Sequence, residues 1–224
     1  MSRVYVVIEG PTEEAFVRDV LRQTLYQRDI YLIPRVIGRP GHQGGRVTYE
    51  RAKRDVSLFL KQEPEAFCTT LFDLYGLGPG FPGTEYPVNL PNIEKVTRLE
   101  AAVKADILAT LPASLRVDAR FFPYVQLHEY EGLLFSDPDA FARGIQEPGL
   151  APEFRHIRNQ FASPEDINDD PENAPSKRII ALHPRYRKVL NGVQAASAVG
   201  IDAMRRECPH FNQWIATLER MITP

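Results

Sequence analysis

Residues 4–8, Val-Tyr-Val-Val-Ile, form an unbroken apolar run that ends in Glu9, Gly10 and Pro11. A strand with one face in water alternates apolar and polar residues. A run with no polar member is what a strand needs when both faces are covered, as they are inside a parallel sheet. Parallel strands require crossover helices, and the sequence supplies one at once: Thr12 is placed to cap it, and Ala15, Phe16, Val20, Leu21 and Leu25 recur at helical spacing. Against that background Glu9 is the anomaly. A carboxylate at the end of a buried strand is costly unless a partner there uses it.

The alternation continues. Residues 31–37 read as a second strand, which Pro34 assigns to a sheet edge or a break. Residues 38–45, GRPGHQGG, are loop, and 47–61 a helix with a basic face. A third strand at 67–73 ends on Asp73, the Gly/Pro-rich stretch that follows is a long loop, 92–111 is a helix and 119–127 a fourth strand. This is the pattern of an α/β fold with a mostly parallel four-stranded sheet flanked by helices. Beyond residue 128 the strands stop. Residues 128–145 read as a helix broken at Pro138, with Asp137 as the cap of its second part, and helices follow at 152–161, 175–190 and 209–221. The acidic stretch 163–172 reads as a solvated loop, and Phe211, Trp214, Ile215 and Leu218 as core.

Composition narrows the function by exclusion. With 43% hydrophobic and 25% charged residues in 224, the chain is that of an ordinary globular protein. Lys and Arg number 27 against 29 Asp and Glu, so no overall basicity announces a nucleic-acid partner. Cys68 and Cys208 form no metal-binding or disulfide pattern, and no signal peptide or membrane span is recognisable, which makes the cytoplasm the expected compartment. Glycine-rich loops are present, but none carries the Gly-Lys-Ser/Thr of a nucleotide-binding loop, which weighs against a small-molecule phosphotransferase.

Ligands of open α/β sheets bind beyond the carboxyl ends of the strands, where Glu9 and Asp73 both stand. Two carboxylates held close together repel unless a proton or cation lies between them, and hard oxygen donors suit Mg²⁺ or Mn²⁺. Glu13 lies one helical turn after Glu9, where an acid also complements the helix dipole. His128, Glu129 and Glu131 follow the fourth strand. On a helix Glu129 and Glu131 face different ways, so one of them would join the site, and the sequence leaves open which; His128 reads equally well as a ligand or as a structural residue.

These motifs carry a resemblance. The strings VIEGPTEEAFV, FDLYGLGPGFPG, HEYEGLLFSD, APSKRI and CPHFNQWI are together similar to a bacterial family catalogued as domain of unknown function 4276, grouped with TOPRIM-like proteins and related to OLD-family nucleases. The resemblance implies a TOPRIM-like α/β domain over 1–137, with 138–224 a helical extension packed on it. It implies that Glu9, Glu13 and Asp73 hold Mg²⁺ or Mn²⁺, with Glu129 or Glu131 contributing, that Glu9 takes part in catalysis, and that Lys177 stabilises charge at the scissile phosphate. The partners it implies are nucleic acid and an ABC/RecF-type ATPase in anti-phage loci, with a homodimer as a further option. One position departs from the TOPRIM pattern: Tyr75 stands where a second aspartate is expected.

Local basic excesses fit a phosphate backbone. Arg35, Arg39 and Arg46 belong to one, Lys177 and Arg178 to another that runs on through Arg185, Arg187 and Lys188. Two functions follow: a metal-dependent nuclease acting on DNA or RNA, or a TOPRIM-like module that binds nucleic acid or nucleotide and docks on an ATPase without cutting.

Overall fold

A computed structural model describes residues 1–38, 47–87, 90–167 and 173–221. Strand β1 (Ser2–Ile8) lies at the centre of a parallel sheet, with β2 (Ile30–Val36) on one side and β3 (Phe67–Asp73) on the other. Two short strands, β4 (Phe121–Phe122) and β5 (Val125–Gln126), both pair in parallel with β3. The order β2-β1-β3-β4 leaves Pro34 on an edge strand, where its missing N–H costs nothing.

The fourth strand is therefore two strands where one was expected, and the cause is Pro123. Its ring has no N–H to give, and the ladder breaks around it. Side chains of β3 bridge the gap: the Thr70 hydroxyl donates to Tyr124 O (2.7 Å) and accepts from Tyr124 N (2.9 Å), and Thr69 donates to Phe122 O. Beyond the break, the outward N–H of Val125 donates to Glu100 Oε1 (2.7 Å), and His210 Nε2 stands 3.2 Å from Val125 O.

Successive residues of β1 point to opposite faces, and each face is roofed by helices. Val4, Val6 and Ile8 join one core with Phe16, Val17, Leu21 and Leu25, whereas Tyr5 and Val7 join another with Val56, Leu60, Val96 and Leu99. The first roof begins with α1 (Pro11–Phe16), which runs through a widened π turn at Val17–Leu21 into α2 (Arg22–Tyr26). The second is α3 (Tyr49–Gln62) and α4 (Asn92–Thr110), with the short α5 (Val117–Arg120) leading into β4. Arg120 is buried and donates to the carbonyls of Leu60, Glu63, Ala66 and Leu115, tying the end of α3 to the sheet.

The C-terminal half completes the first roof: α6 (Pro138–Gly144), α7 (Ala151–Arg158), α8 (Pro175–Leu182), α9 (Lys188–Val199), α10 (Ile201–Glu207) and α11 (Pro209–Leu218). Phe141, Phe154, Phe211 and Trp214 from these helices share a core with β1, so the second half of the chain closes a face of the sheet made by the first. Three local expectations are corrected. The first helix is capped by Gly10 in extended conformation with Pro11 as its first residue, not by Thr12, because Glu13 reaches back to the Gly10 N–H. The helix expected over 175–190 ends at Leu182, and α9 starts at Lys188. Residues Tyr130–Ser136 form a 3-10 turn, not an α-helix, and Asp137 then caps α6 by accepting from Ala140 N (2.9 Å). Among the described residues no helix is long and apolar enough to cross a membrane.

Candidate active site

The parallel register carries two acids to one rim. Ile8 pairs with Leu71 and Asp73 with Gln126, so Glu9, Asp73 and the segment after Gln126 leave the sheet at the same edge. There they line an open cleft of about 370 Å³ with Glu13, Glu129, Tyr75 and Lys188.

Each acid is placed by a local cause. Glu13 is buried on the first turn of α1, its Oε2 accepting from Gly10 N at 2.9 Å. Asp73 Oδ1 accepts from Tyr130 N at 3.0 Å, which fastens the end of β3 to the turn after β5. Glu129, extended at φ −139° and ψ 151°, receives the N–H (2.9 Å) and the hydroxyl (3.1 Å) of Ser176 at the start of α8. Glu131 is only 2% exposed. One ammonium group answers them: Lys188 Nζ lies 3.4 Å from Glu131 and 3.6 Å from Glu129. A cation on the first residue of a helix opposes the helix dipole, so the carboxylates and not α9 account for its position.

The electrostatics match this crowding. Burial, then the charge of Glu13, raise Glu9 to about 7, with Lys188 pulling the other way. Burial raises Glu13. Asp73 is held well above the ordinary carboxylate range by burial and by Glu13, Glu131, Glu129 and Glu9 in turn. Glu131 rises to about 7, chiefly by burial and against the pull of Lys188. For Lys188, burial favours the neutral amine, but Glu131, Glu129 and Asp73 outweigh it and its pKa is raised. Protons are held where a cation of higher charge would displace them.

The donors are all oxygen, which fits Mg²⁺ or Mn²⁺. They ring the cleft without closing on it: among the described residues no three His, Cys, Asp or Glu side chains are arranged to hold one ion.

Gly76 shows how closely the loop after β3 covers Glu9. A Cβ built there would stand 2.2 Å from Glu9 Oε2. Gly76→Ala is expected to push Glu9 aside and remove Mn²⁺-induced stabilisation of the fold while the Mn²⁺-free melting temperature stays near that of the wild type, both read by thermal melts.

The structure brings Glu9, Glu13, Asp73, Glu129 and Glu131 together. Of the last two, Glu129 lines the cleft, whereas Glu131 is buried and reaches it only through Lys188, the extended backbone at Glu129 and the 3-10 turn after it bringing both carboxylates to that ammonium group. Lys177 is exposed on α8 and does not line the cleft, whereas its neighbour Ser176 braces Glu129. Arg178 donates to Asn173 O and lies over the Phe161 ring, in a groove with His156 and Leu182. Arg35 is exposed on β2 against Tyr5. Arg39 and Arg46 lie outside the described residues. The sequence reading missed two contributors: Ser176, and Lys188, seen only as part of a basic excess. No local signal singled out Lys188, since the sequence reads 175–190 as one helix and the start of α9 at Lys188 appears only in the structure.

The surroundings of His128 fix the tautomer of its ring. The ammonium of Lys95 can only donate, so the Asn92 oxygen faces it at 3.1 Å and the Asn92 amide nitrogen faces His128 Nε2 at 3.3 Å, which assigns Nε2 as an acceptor. The ring is buried and packs beside Tyr75.

A parallel sheet roofed by helices on both faces, with acids from four segments gathered at its carboxyl rim, defines an α/β protein with a carboxylate-lined cleft at the ligand-binding edge of the fold. The chain belongs to the family described as Domain of unknown function (DUF4276), whose model matches residues 8–219. It is similar to the solved C-terminal region of the Burkholderia pseudomallei OLD protein, with 15% identity, a TM-score of 0.46 and 97% of each chain covered. It is likewise similar to the C-terminal region of the Xanthomonas campestris pv. campestris OLD protein, with 15% identity, a TM-score of 0.38 and the same coverage. No curated protein matches it.

Proposed function

We propose that the protein is a divalent-metal-dependent phosphodiesterase that hydrolyses nucleic-acid strands. The observation that supports this most directly is the charge imbalance among the described residues of the cleft: four carboxylates line it and a fifth, Glu131, is buried against its one ammonium group, with Glu9 and Glu131 raised to about 7. Such a set favours added positive charge, and phosphoryl transfer is the chemistry in which cations at a carboxylate cluster do most of the work. Glu9, Glu13 and Asp73, with Glu129 or Glu131, would hold Mg²⁺ or Mn²⁺, which would neutralise charge at the phosphate and acidify the attacking water.

The remaining roles fall to the chain. Glu9 accepts a proton from the attacking water as its oxygen bonds to phosphorus. The P–O bond to the leaving group breaks, and that oxygen takes a proton from solvent. Lys188 faces the negative charge that gathers on the phosphoryl oxygens, a role for which its raised pKa keeps it protonated. Ser176 fixes the orientation of Glu129 and Tyr130 N that of Asp73.

The family resemblance extends the proposal to an ABC/RecF-type ATPase partner in phage defence and to a role for the exposed Lys177, Arg178 and Arg35, with Arg39 and Arg46, in holding the strand. A non-cutting binding module is favoured by one feature, the tyrosine at position 75 in place of a further acid.

Thermal melts and cleavage assays decide between the two. Saturating Mn²⁺ is expected to stabilise the wild type by about 5–10 °C, as ligand at roughly a hundred times its dissociation constant would do for a domain of this size. Asp73→Asn should lose that shift together with hydrolysis of single-stranded DNA, duplex DNA or RNA, assayed with the ATPase present. An equal Mn²⁺ shift in both proteins removes the metal centre from this cleft. Strand binding without cleavage in any of these conditions leaves the binding module.

A further inference from the structure

The cleft carries one side chain that acid chemistry does not explain. Tyr75 lies two residues after Asp73, lines the same cleft as Glu9 and Lys188, and is 40% exposed. Its ring is thus partly accessible at the rim of a charged site, where an aromatic face can meet a ligand.

Its support is built. The Tyr75 N–H approaches His128 O at 3.4 Å, and its ring packs on the His128 imidazole with centroids 5.1 Å apart and planes inclined by 32°. His128 is itself held in a left-handed conformation, at φ 62°, which a histidine adopts at a cost. Behind it, Asn92 and Lys95 fix the imidazole from α4. The series Lys95, Asn92, His128, Tyr75 is a brace that presents an aromatic ring to the cleft.

We infer that Tyr75 is a stacking platform for an unpaired nucleobase next to the phosphate that Lys188 and a carboxylate-bound cation would meet, so that the substrate is a single-stranded or frayed nucleic-acid end. This rests on the phosphodiesterase reading of the cleft. Every base has a π face, and stacking on an aromatic side chain binds strands with little regard to sequence. A base inside a duplex is stacked and paired already and reaches a protein ring only after extrusion, which costs a few kcal/mol. A ring beside the cleft therefore selects for bases already free.

The test compares an oligothymidylate with a strand of the same length and charge built from abasic tetrahydrofuran residues, and with the corresponding duplex. Binding is read by fluorescence anisotropy with Ca²⁺ in place of Mg²⁺, so that the strands are bound and not consumed. The wild type should prefer the oligothymidylate to both competitors. Tyr75→Ala should weaken oligothymidylate binding by about 5- to 150-fold and leave the abasic strand unchanged, whereas Tyr75→Phe, which keeps the ring, should match the wild type. As a second reading, Tyr75→Trp places a fluorophore on the platform, and its emission should be quenched by the oligothymidylate and not by the abasic strand; Trp214, only 4% exposed, supplies a constant background.

Equal losses for base-bearing and abasic strands in Tyr75→Ala would mean that the ring only shapes the cleft. Wild-type binding with no base preference overturns the platform and leaves the phosphodiesterase reading standing. No binding of any strand by the wild type overturns both.

Discussion

Replacing Lys188 with methionine is expected to lower strand cleavage on the order of 10²- to 10³-fold, the loss typical of removing one preorganised group that meets transition-state charge. Methionine keeps much of the stem and deletes the ammonium that stands 3.4 Å from Glu131 and 3.6 Å from Glu129. Lys177→Met serves as the contrast, since Lys177 lies outside the cleft, and it should cleave near the wild-type rate with any weakening confined to strand affinity. Single-turnover rates at saturating strand separate the two effects. Lys188→Met also leaves Glu131 buried without its cation. The expected cost is about 1 kcal/mol at pH 8, modest because the lysine is itself half in water, and it should shrink by pH 6 as Glu131 takes up a proton. If Lys177→Met loses cleavage and Lys188→Met does not, the role passes to the exposed lysine and the cleft geometry is a poor guide to the chemistry.

Without divalent cations the protein should become less stable as pH rises through neutrality. Glu9 and Glu131 titrate near 4.5 in an unfolded chain and near 7 in the fold. Below about 4.5 both states are protonated and these two groups impose no penalty. Between the two values the folded chain binds more protons than the unfolded one, so stability falls with pH, and above about 7 the loss is complete. Linkage puts it on the order of 3 kcal/mol for Glu131 and less for the half-buried Glu9, where solvent screens the field. Melting temperatures should therefore decline between pH 5.5 and 8, and saturating Mn²⁺ should flatten the decline by taking the place of the protons. Glu131→Gln should flatten it in part with no metal present. A metal-free melting temperature that climbs through this window would mean that the acids are better solvated, or better paired, than the cleft implies.

What the sequence conveyed depended on whether the determining interaction was local. The apolar runs of β1 and β3 and the acids that end them, Glu9 and Asp73, could be read because burial on both faces and strand termination are written in consecutive residues. The edge position of β2 followed from Pro34 alone. The setting of Glu129 and Glu131 was not legible because their backbone is extended and then 3-10, not helical, held by contacts to Asp73 and Ser176 from distant parts of the chain. The same applies to Lys188. Nothing within its neighbourhood distinguishes it from Lys177, and only the packing of α9 against α1 brings it to Glu131. For His128, the donor-only chemistry of a lysine on another helix fixes which ring nitrogen accepts, which no local sequence feature could show.

The way the sheet ends on its two sides also bears on how this protein behaves at high concentration. On one margin β2 carries Pro34, which offers no N–H, followed by the exposed Arg35. On the other, the outward amide and carbonyl of Val125 are engaged by Glu100 and His210. An unprotected strand is a template onto which another chain can add, the first step of domain swapping and of fibril growth. Among the described residues each margin is interrupted, by Pro34 on one side and by Glu100 and His210 on the other, which works against sheet-to-sheet polymerisation of folded molecules.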